Sequence, residues 1–163
     1  MPMNAAEMAR KMETDAVAFY KEAAGRTSHP VGREMFLSIM EDEIRHTRMI
    51  EAVLKGMDIT EDSAEPMDRV KSVFEEMRPE LEKKISATSD DKEALKVAME
   101  MEKKGYDFYR ESEAKAADEK TRELFKRLAK DEDQHYRMFA NTYNFLNDSG
   151  NWFMWEEKGV IEG

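Results

Sequence analysis

Two Glu-x-x-His motifs occur 89 residues apart in this chain, Glu43 with His46 and Glu132 with His135. Residues three apart on a helix lie on one face, so each motif can offer a carboxylate oxygen and an imidazole nitrogen to the same metal ion. The neighbouring residues on that face are mostly apolar, and an ionised carboxylate facing a core is costly unless it is paired or bound to a metal. The motifs therefore predict two metal half-sites inside a helical protein.

A lone glutamate lies 30 residues before each motif and completes the predicted ligand set. Two helix pairs that each supply one such glutamate and one Glu-x-x-His motif carry the ligands of a carboxylate-bridged two-metal site in a four-helix bundle. We assign two terminal glutamates, two bridging glutamates and one histidine per metal: Glu13 and Glu102, Glu43 and Glu132, His46 and His135. Oxygen-rich ligation suits iron or manganese better than a structural zinc. From the residues alone, iron and manganese both stay open as the two metal ions, with zinc as a possible substitute.

The half-sites belong to an internal repeat, in which residues 5–51 align without a gap with residues 94–140 and are identical at fifteen of forty-seven positions. Each copy has an aspartate directly before the bridging glutamate and a Phe-Tyr pair after the lone glutamate. The repeat predicts a pseudo-twofold arrangement that brings the two half-sites face to face.

The repeated aspartates and tyrosines are candidates for supporting the ligands. We interpret Asp42 and Asp131 as acceptors for the second N–H of a ligating histidine, each pairing with the histidine of the other half. Tyr20 and Tyr109 lie two turns after the lone glutamates, and their hydroxyls, if buried, are expected to hydrogen-bond to a ligand carboxylate on a neighbouring helix. Exposed acids and ordinary core tyrosines are the alternative interpretations.

Hydrophobic spacing and helix-breaking residues predict four long helices over residues 4–24, 31–54, 91–115 and 118–146. Gly25 is the expected C-terminal cap of the first helix, and Thr88-Ser89-Asp90 the N-cap of the third. His29, beside Pro30 in a turn, is expected to be a solvated loop residue.

Short loops within each half predict two antiparallel helix hairpins, joined by a long crossover over about residues 56–88 that has no counterpart in the repeat. A short helix is expected within the crossover, from Pro66 to near Pro79. The predicted fold is therefore an all-α antiparallel four-helix bundle over residues 1–147. A tail over residues 148–163 carries Trp152, Phe153 and Trp155 and is expected to pack along a bundle groove or a subunit partner.

Composition narrows the function classes. The chain has 163 residues, 38% of them charged, and a formal net charge of −10. Its Lys and Arg are too evenly interspersed to form a basic face, so nucleic acid is not an expected partner. No apolar run suits a membrane span or a signal peptide, and a cytoplasmic location is expected. Cysteine is absent, which excludes disulfides and thiolate metal sites within this sequence.

These residues resemble the rubrerythrin branch of the ferritin-like superfamily over nearly the whole chain, up to about residue 147. The resemblance is carried by four motifs: Glu13 with Phe19-Tyr20, Asp42-Glu43-x-x-His46, Glu102 with Phe108-Tyr109, and Asp131-Glu132-x-x-His135. It implies a ferritin-like bundle that dimerises. It also implies a di-iron centre that reacts with peroxide or dioxygen and receives electrons from a separate donor protein.

Two departures from the family pattern matter for function. Full-length rubrerythrins carry a rubredoxin-like module with four iron-binding cysteines, and this chain has no cysteine. Peroxide-reducing relatives place an additional glutamate one turn after the third-helix ligand, where this chain has Gly105. The small residues Ala16 and Gly105 are expected to leave space for an oxidant. Three functions stay open: a peroxide-reducing enzyme, a ferroxidase or iron-handling protein of bacterioferritin type, and a non-enzymatic metal-stabilised bundle.

Overall fold

The computed structural model describes residues 4–59, 65–81 and 86–150. Its helices, in chain order, are α1 Ala5–Arg26, α2 Pro30–Leu54, α3 Pro66–Glu76, α4 Arg78–Leu81, α5 Ser89–Lys115 and α6 Glu119–Ser149. Helix α1 packs along α2 and α5 packs along α6, and these two hairpins meet through contacts of α2 with α6 and of α1 with α5. The predicted all-α, ferritin-like helical bundle is confirmed.

The crossover contributes two short helices rather than the single one expected between Pro66 and Pro79. Met77 separates α3 from α4, and α3 packs against both α2 and α6. Val70 and Phe74 of α3 are buried in the main core, with 0% and 3% of their surfaces exposed. The crossover is therefore part of the folded core as well as a connection between hairpins.

Polar side chains at the helix starts satisfy backbone N–H groups that have no partner within a helix. Asn4 Oδ1 accepts from the Glu7 N–H at 2.9 Å, and Asp118 Oδ1 accepts from the Thr121 N–H at 2.9 Å. Thr88 forms a reciprocal capping box with Asp91 at the start of α5, so the predicted cap at Thr88 is confirmed.

Two predictions about the turn between the first two helices are wrong. Gly25 lies inside α1, which continues to Arg26 and ends at Thr27. His29 is fully buried rather than solvated, and its Nδ1 accepts from the Val31 N–H at 3.0 Å as the N-cap of α2. His29 aligns with Asp118 in the repeat, and Asp118 is the N-cap of α6. The two residues therefore cap equivalent helices, one with an imidazole nitrogen and the other with a carboxylate oxygen.

The last helix ends later than predicted, at Ser149, where Gly150 adopts a left-handed conformation with φ of 75°. Glycine accepts this conformation without the Cβ penalty of other residues. The predicted packing of Trp152, Phe153 and Trp155 lies outside the described residues.

Stacked aromatic rings fill the bundle on both sides of its middle. Tyr20, Phe36 and Phe139 stack with ring centroids 5.5–6.2 Å apart. Tyr109 and Phe125 stack at 6.0 Å in a second core cluster. Burial of each such ring contributes about 1.5–3 kcal/mol. Within residues 4–59, 65–81 and 86–150, no helix has the length and hydropathy needed to cross a bilayer.

Candidate metal centre

The four long helices bring all six predicted ligands to one place in the bundle interior. Each of the six side chains belongs to a residue that is at most 4% exposed. Their donor atoms form two groups in which all atoms lie within 4.8 Å of one another. Glu43 and Glu132 belong to both groups, which is the arrangement expected of bridging carboxylates. The remaining members are Glu13 with His46 in one group and Glu102 with His135 in the other.

In the first group, His46 Nδ1 faces three carboxylate oxygens. It lies 3.3 Å from Glu13 Oε1, 3.4 Å from Glu43 Oε1 and 3.3 Å from Glu132 Oε1. Two ligand atoms that each bind a metal at about 2.1 Å are separated by roughly 3.0–3.4 Å at coordination angles between octahedral and tetrahedral. The observed separations therefore allow these atoms to share one metal ion.

The second group repeats this geometry around His135 Nδ1. This atom lies 3.3 Å from Glu43 Oε1, 3.4 Å from Glu102 Oε1 and 3.7 Å from Glu132 Oε1. The imidazole centroids of His46 and His135 are 6.2 Å apart. Each histidine therefore faces its own terminal glutamate and both of the shared glutamates.

The cluster also contains buried atoms that need a partner. Five of them have no hydrogen-bond partner among the described residues: Glu13 Oε2, Glu43 Oε1, Glu102 Oε2, Glu132 Oε1 and His135 Nδ1. A buried polar atom without a partner costs about 1–3 kcal/mol. Two divalent cations would satisfy these atoms and balance the charge of four carboxylates, so the residues present fit a two-metal centre.

The histidines are held by aspartates from the opposite half of the repeat. Asp131 Oδ2 lies 2.9 Å from His46 Nε2, and Asp42 Oδ2 lies 2.9 Å from His135 Nε2. An aspartate at Nε2 accepts that N–H and leaves the Nδ1 lone pair directed at the centre. The structure places Asp42 and Asp131 in the crossed pairs that the repeat suggests.

Arginine side chains contact both aspartates, and the sequence analysis did not predict these contacts. Arg45 and Arg69 contact Asp42 Oδ1, the latter at 2.8 Å, and Arg127 Nε lies 3.3 Å from Asp131 Oδ2. Burial raises the pKa of each aspartate, but the histidine hydrogen bond and the arginine charge outweigh it, so both pKa values lie below the ordinary one. Arg45 and Arg127 could have been found from their helical spacing of three and four residues. Arg69 had no such signal.

Each tyrosine donates a hydrogen bond to the terminal glutamate of the other hairpin. Tyr109 of α5 donates to Glu13 Oε1 of α1 at 2.6 Å, and Tyr20 of α1 donates to Glu102 Oε1 of α5. Burial and the neighbouring carboxylates raise the pKa of both phenols well above its ordinary value. The hydroxyls therefore stay protonated and hold one oxygen of each terminal glutamate.

The carboxylates have divergent pKa values when no metal is bound. Burial and the charge of Glu43 raise the pKa of Glu13 to about 8. Burial, followed by the charge of Glu102, raises the pKa of Glu132 well above its ordinary value. Burial also acts to raise the pKa of Glu43, but its close contacts with both imidazoles outweigh burial and hold that pKa well below the ordinary range.

The imidazoles favour the protonated form in the same metal-free state. Burial alone would lower the pKa of His46 and of His135, but the charges of Glu13 and Glu102 outweigh it and raise both values. The metal-free cluster therefore retains protons at neutral pH. Metal binding has to displace them, which makes metal affinity depend on pH.

A cavity of about 190 Å³ between α1 and α5 reaches the ligand carboxylates from the surface. Ala16 and Gly105 both line it, as expected for small residues one turn past the terminal glutamates. Gly105 has a second role, because a Cβ atom there would lie 3.0 Å from Glu132 Oε2. The absence of a side chain at this position lets the Glu132 carboxylate lie against α5.

A four-helix bundle with four glutamates and two histidines in two overlapping ligand groups defines a ferritin-like carboxylate protein built for two metal ions. The sequence model of the family described as Rubrerythrin matches residues 4–143. The chain belongs to the rubrerythrin family, a ferritin-like family of di-iron proteins, so the resemblance seen in the motifs is confirmed. Searches among curated proteins and among solved structures found no significant match.

Proposed function

We propose that this protein is a di-iron oxidoreductase that reduces hydrogen peroxide in oxidative-stress defence. The family supports a di-iron protein linked to oxidative stress in general. The observation that carries the finer proposal is the cavity between α1 and α5, which leads to the carboxylates of both ligand groups. A pair of ferrous ions held there would supply the two electrons that hydrogen peroxide needs, with two protons, to become two water molecules.

The size of the cavity favours a very small substrate. Its volume of about 190 Å³ is below the roughly 300–1,000 Å³ of pockets that hold drug-sized ligands. Its lining includes Lys104 and Asp15 beside the carboxylates, and the apolar side chains of Met12 and Met101. Peroxide and dioxygen are small enough to enter such an opening.

The surrounding residues would hold the carboxylates and imidazoles in position around a bound metal pair. Tyr20 and Tyr109 hold one oxygen of each terminal glutamate and leave the other, Oε2, without a partner among the described residues. The crossed Asp–His pairs fix both imidazole rings. These contacts pre-organise the site, so that little rearrangement of the first ligands is needed when the oxidant arrives.

Ferroxidase or iron-handling activity is the second candidate, and a specific observation favours it. The ligand set is symmetric, and Gly105 stands where the additional glutamate of peroxide-reducing relatives is expected. The peroxide-reducing function also needs a separate donor protein that re-reduces the metal ions. That donor, a cytoplasmic location and a homodimer stay predictions.

Stopped-flow oxidation of the anaerobically iron-loaded, reduced protein tests this function. We expect faster oxidation by hydrogen peroxide than by dioxygen, with repeated turnover when a reductant is supplied. Ala16→Met should narrow the cavity and slow the reaction without reducing the metal content. Ala18→Met is the matched control, because Ala18 lies on the exposed face of the same helix. Equal or faster reaction with dioxygen would favour the ferroxidase, and no reaction with either oxidant would favour a non-enzymatic bundle.

A further inference from the structure

The crossover helix α3 reaches the metal centre through two charged residues. Arg69 Nη1 of α3 lies 2.8 Å from Asp42 Oδ1, and the other oxygen of Asp42 lies 2.9 Å from His135 Nε2. The Asp42 side chain is 1% exposed and that of Arg69 is 19% exposed. A chain of contacts thus runs from a helix outside the repeat to one metal ligand.

Helix α3 is held firmly enough to position that guanidinium. Val70 and Phe74, one and five residues after Arg69, are buried in the main core. The Met67 N–H donates to Gln134 Oε1 at 3.1 Å, and Gln134 directly precedes His135. An arginine on a packed helix loses little further entropy when it pairs, unlike an arginine on a mobile surface arm.

The second half of the repeat is supported differently. Asp131, which holds His46, meets Arg127 from its own helix, with Nε 3.3 Å from Oδ2. The repeat equivalent of Arg127 is Ser38, and the equivalent of Arg45 is Gln134. The metal ligands and the aspartates are identical at equivalent positions of the repeat, whereas the arginines that contact the aspartates are not.

We propose that Arg69 is a positioning residue for His135, through which the crossover helix supports one of the two metal positions and not the other. Its guanidinium shares Asp42 Oδ1 with Arg45, and the two arginines together hold that oxygen so that Oδ2 stays directed at the His135 N–H. Groups that hydrogen-bond a metal ligand directly commonly change metal affinity by about 10–100-fold when they are removed. Arg69 acts one contact further out, so the expected loss is at the lower end of that range, about tenfold. The inference rests on the metal centre but not on the peroxide reaction, so its test needs no oxidant.

Cobalt(II) binding to the metal-free protein provides the test, with single-histidine variants that isolate each position. In the His46→Gln background, which leaves the His135 position intact, Arg69→Gln should weaken cobalt binding about tenfold. In the His135→Gln background it should change binding less than about twofold, because its target is already gone. Arg127→Gln is the matched control and should show the opposite pattern. Arg69→Lys keeps the charge but not the planar donor pair of arginine. It should weaken cobalt binding less than Arg69→Gln does, and only in the His46→Gln background.

Proton NMR of the cobalt-loaded protein gives a second readout, which a general loss of stability would not reproduce. Each ligating imidazole has one exchangeable Nε2 proton, so two shifted exchangeable signals are expected. Arg69→Gln should speed solvent exchange of one, and Arg127→Gln of the other. Equal losses of affinity in both histidine backgrounds, or equal effects on both signals, would overturn the inference. Failure of the wild-type protein to bind cobalt would overturn the metal centre as well. If Arg69→Gln does not fold, Arg69→Lys carries the same comparison.

Discussion

Glu13→Gln should make the unfolding free energy of the metal-free protein less dependent on pH, because it removes one buried carboxylate from the cluster. Glu13 is 1% exposed, and without metal its pKa is raised to about 8 by burial and by the charge of Glu43. Glutamine has nearly the same shape and no charge, and its side-chain oxygen can still accept the hydrogen bond from Tyr109. The substitution therefore removes the titration while leaving most of the packing in place.

The expected magnitude follows from the difference between the folded and unfolded pKa values. The unfolded carboxyl titrates near its ordinary value of 4.5, so between that pH and about 8 the folded state holds a proton that the unfolded state lacks. The stability that Glu13 contributes is therefore complete below pH 4.5 and is lost as pH rises toward 8. Each unit of pKa difference corresponds to about 1.4 kcal/mol. Between pH 5 and pH 8, the metal-free wild type should lose about 3 kcal/mol of unfolding free energy relative to Glu13→Gln.

Urea unfolding of both proteins in the presence of a chelator, at intervals from pH 5 to pH 8, measures this difference. Packing changes that do not titrate shift the two curves by a constant and leave the pH dependence unaffected. A difference that is independent of pH, or that grows toward acid, would refute the reasoning. The metal-loaded wild type is the control. It should be more stable than the metal-free protein by mass action, and this advantage should grow as pH rises because protons compete with metal for the ligands.

Two further substitutions test the geometry of the ligands. Glu43→Ala should release both metal ions because Glu43 belongs to both ligand groups, whereas Glu13→Ala should weaken one position more than the other; metal analysis after dialysis would contradict the bridging assignment if the two variants lost metal equally. Gly105→Ala should weaken metal binding, because the new Cβ would lie 3.0 Å from Glu132 Oε2 and displace that carboxylate. The displacement should offset the helix stabilisation of about 0.5–1 kcal/mol that a Gly→Ala change otherwise gives. Gly25→Ala is its control, since a Cβ there meets nothing within 4 Å, and it should stabilise the helix by roughly 0.5–1 kcal/mol in thermal or urea unfolding.

The bundle and its ligands were accessible from sequence because both rest on periodic patterns. The spacing of three between Glu43 and His46 places both on one helical face, and the repeat supplies the second half-site by symmetry. The burial of His29 was not predicted, because histidine is not a usual N-cap residue and its capping role was not recognised. Its neighbours in sequence suggested only a turn.

Contacts between elements without a shared pattern could not be predicted. Arg69 lies 27 residues after Asp42 in the chain, in a segment that the repeat does not contain. The approach of Glu132 to Gly105 depends on how closely α5 and α6 pack, which residue spacing does not specify. Sequence patterns define which face of a helix points inward, but the distance between two packed helices depends on all the side chains between them.

The reciprocal contacts of Tyr20 with Glu102 and of Tyr109 with Glu13 give the two halves of this single chain the relationship of subunits in a twofold dimer. In such an interface, each residue that contacts a partner is matched by the same contact in reverse. Neither hairpin holds a complete ligand group by itself, because each group takes at least one glutamate from the other hairpin. A symmetric dimer of one such hairpin would complete each ligand group with its second copy, whereas within a single chain the two halves can carry different residues. The arginines that now differ between the halves are substitutions that an assembly of two identical hairpins could not have acquired separately.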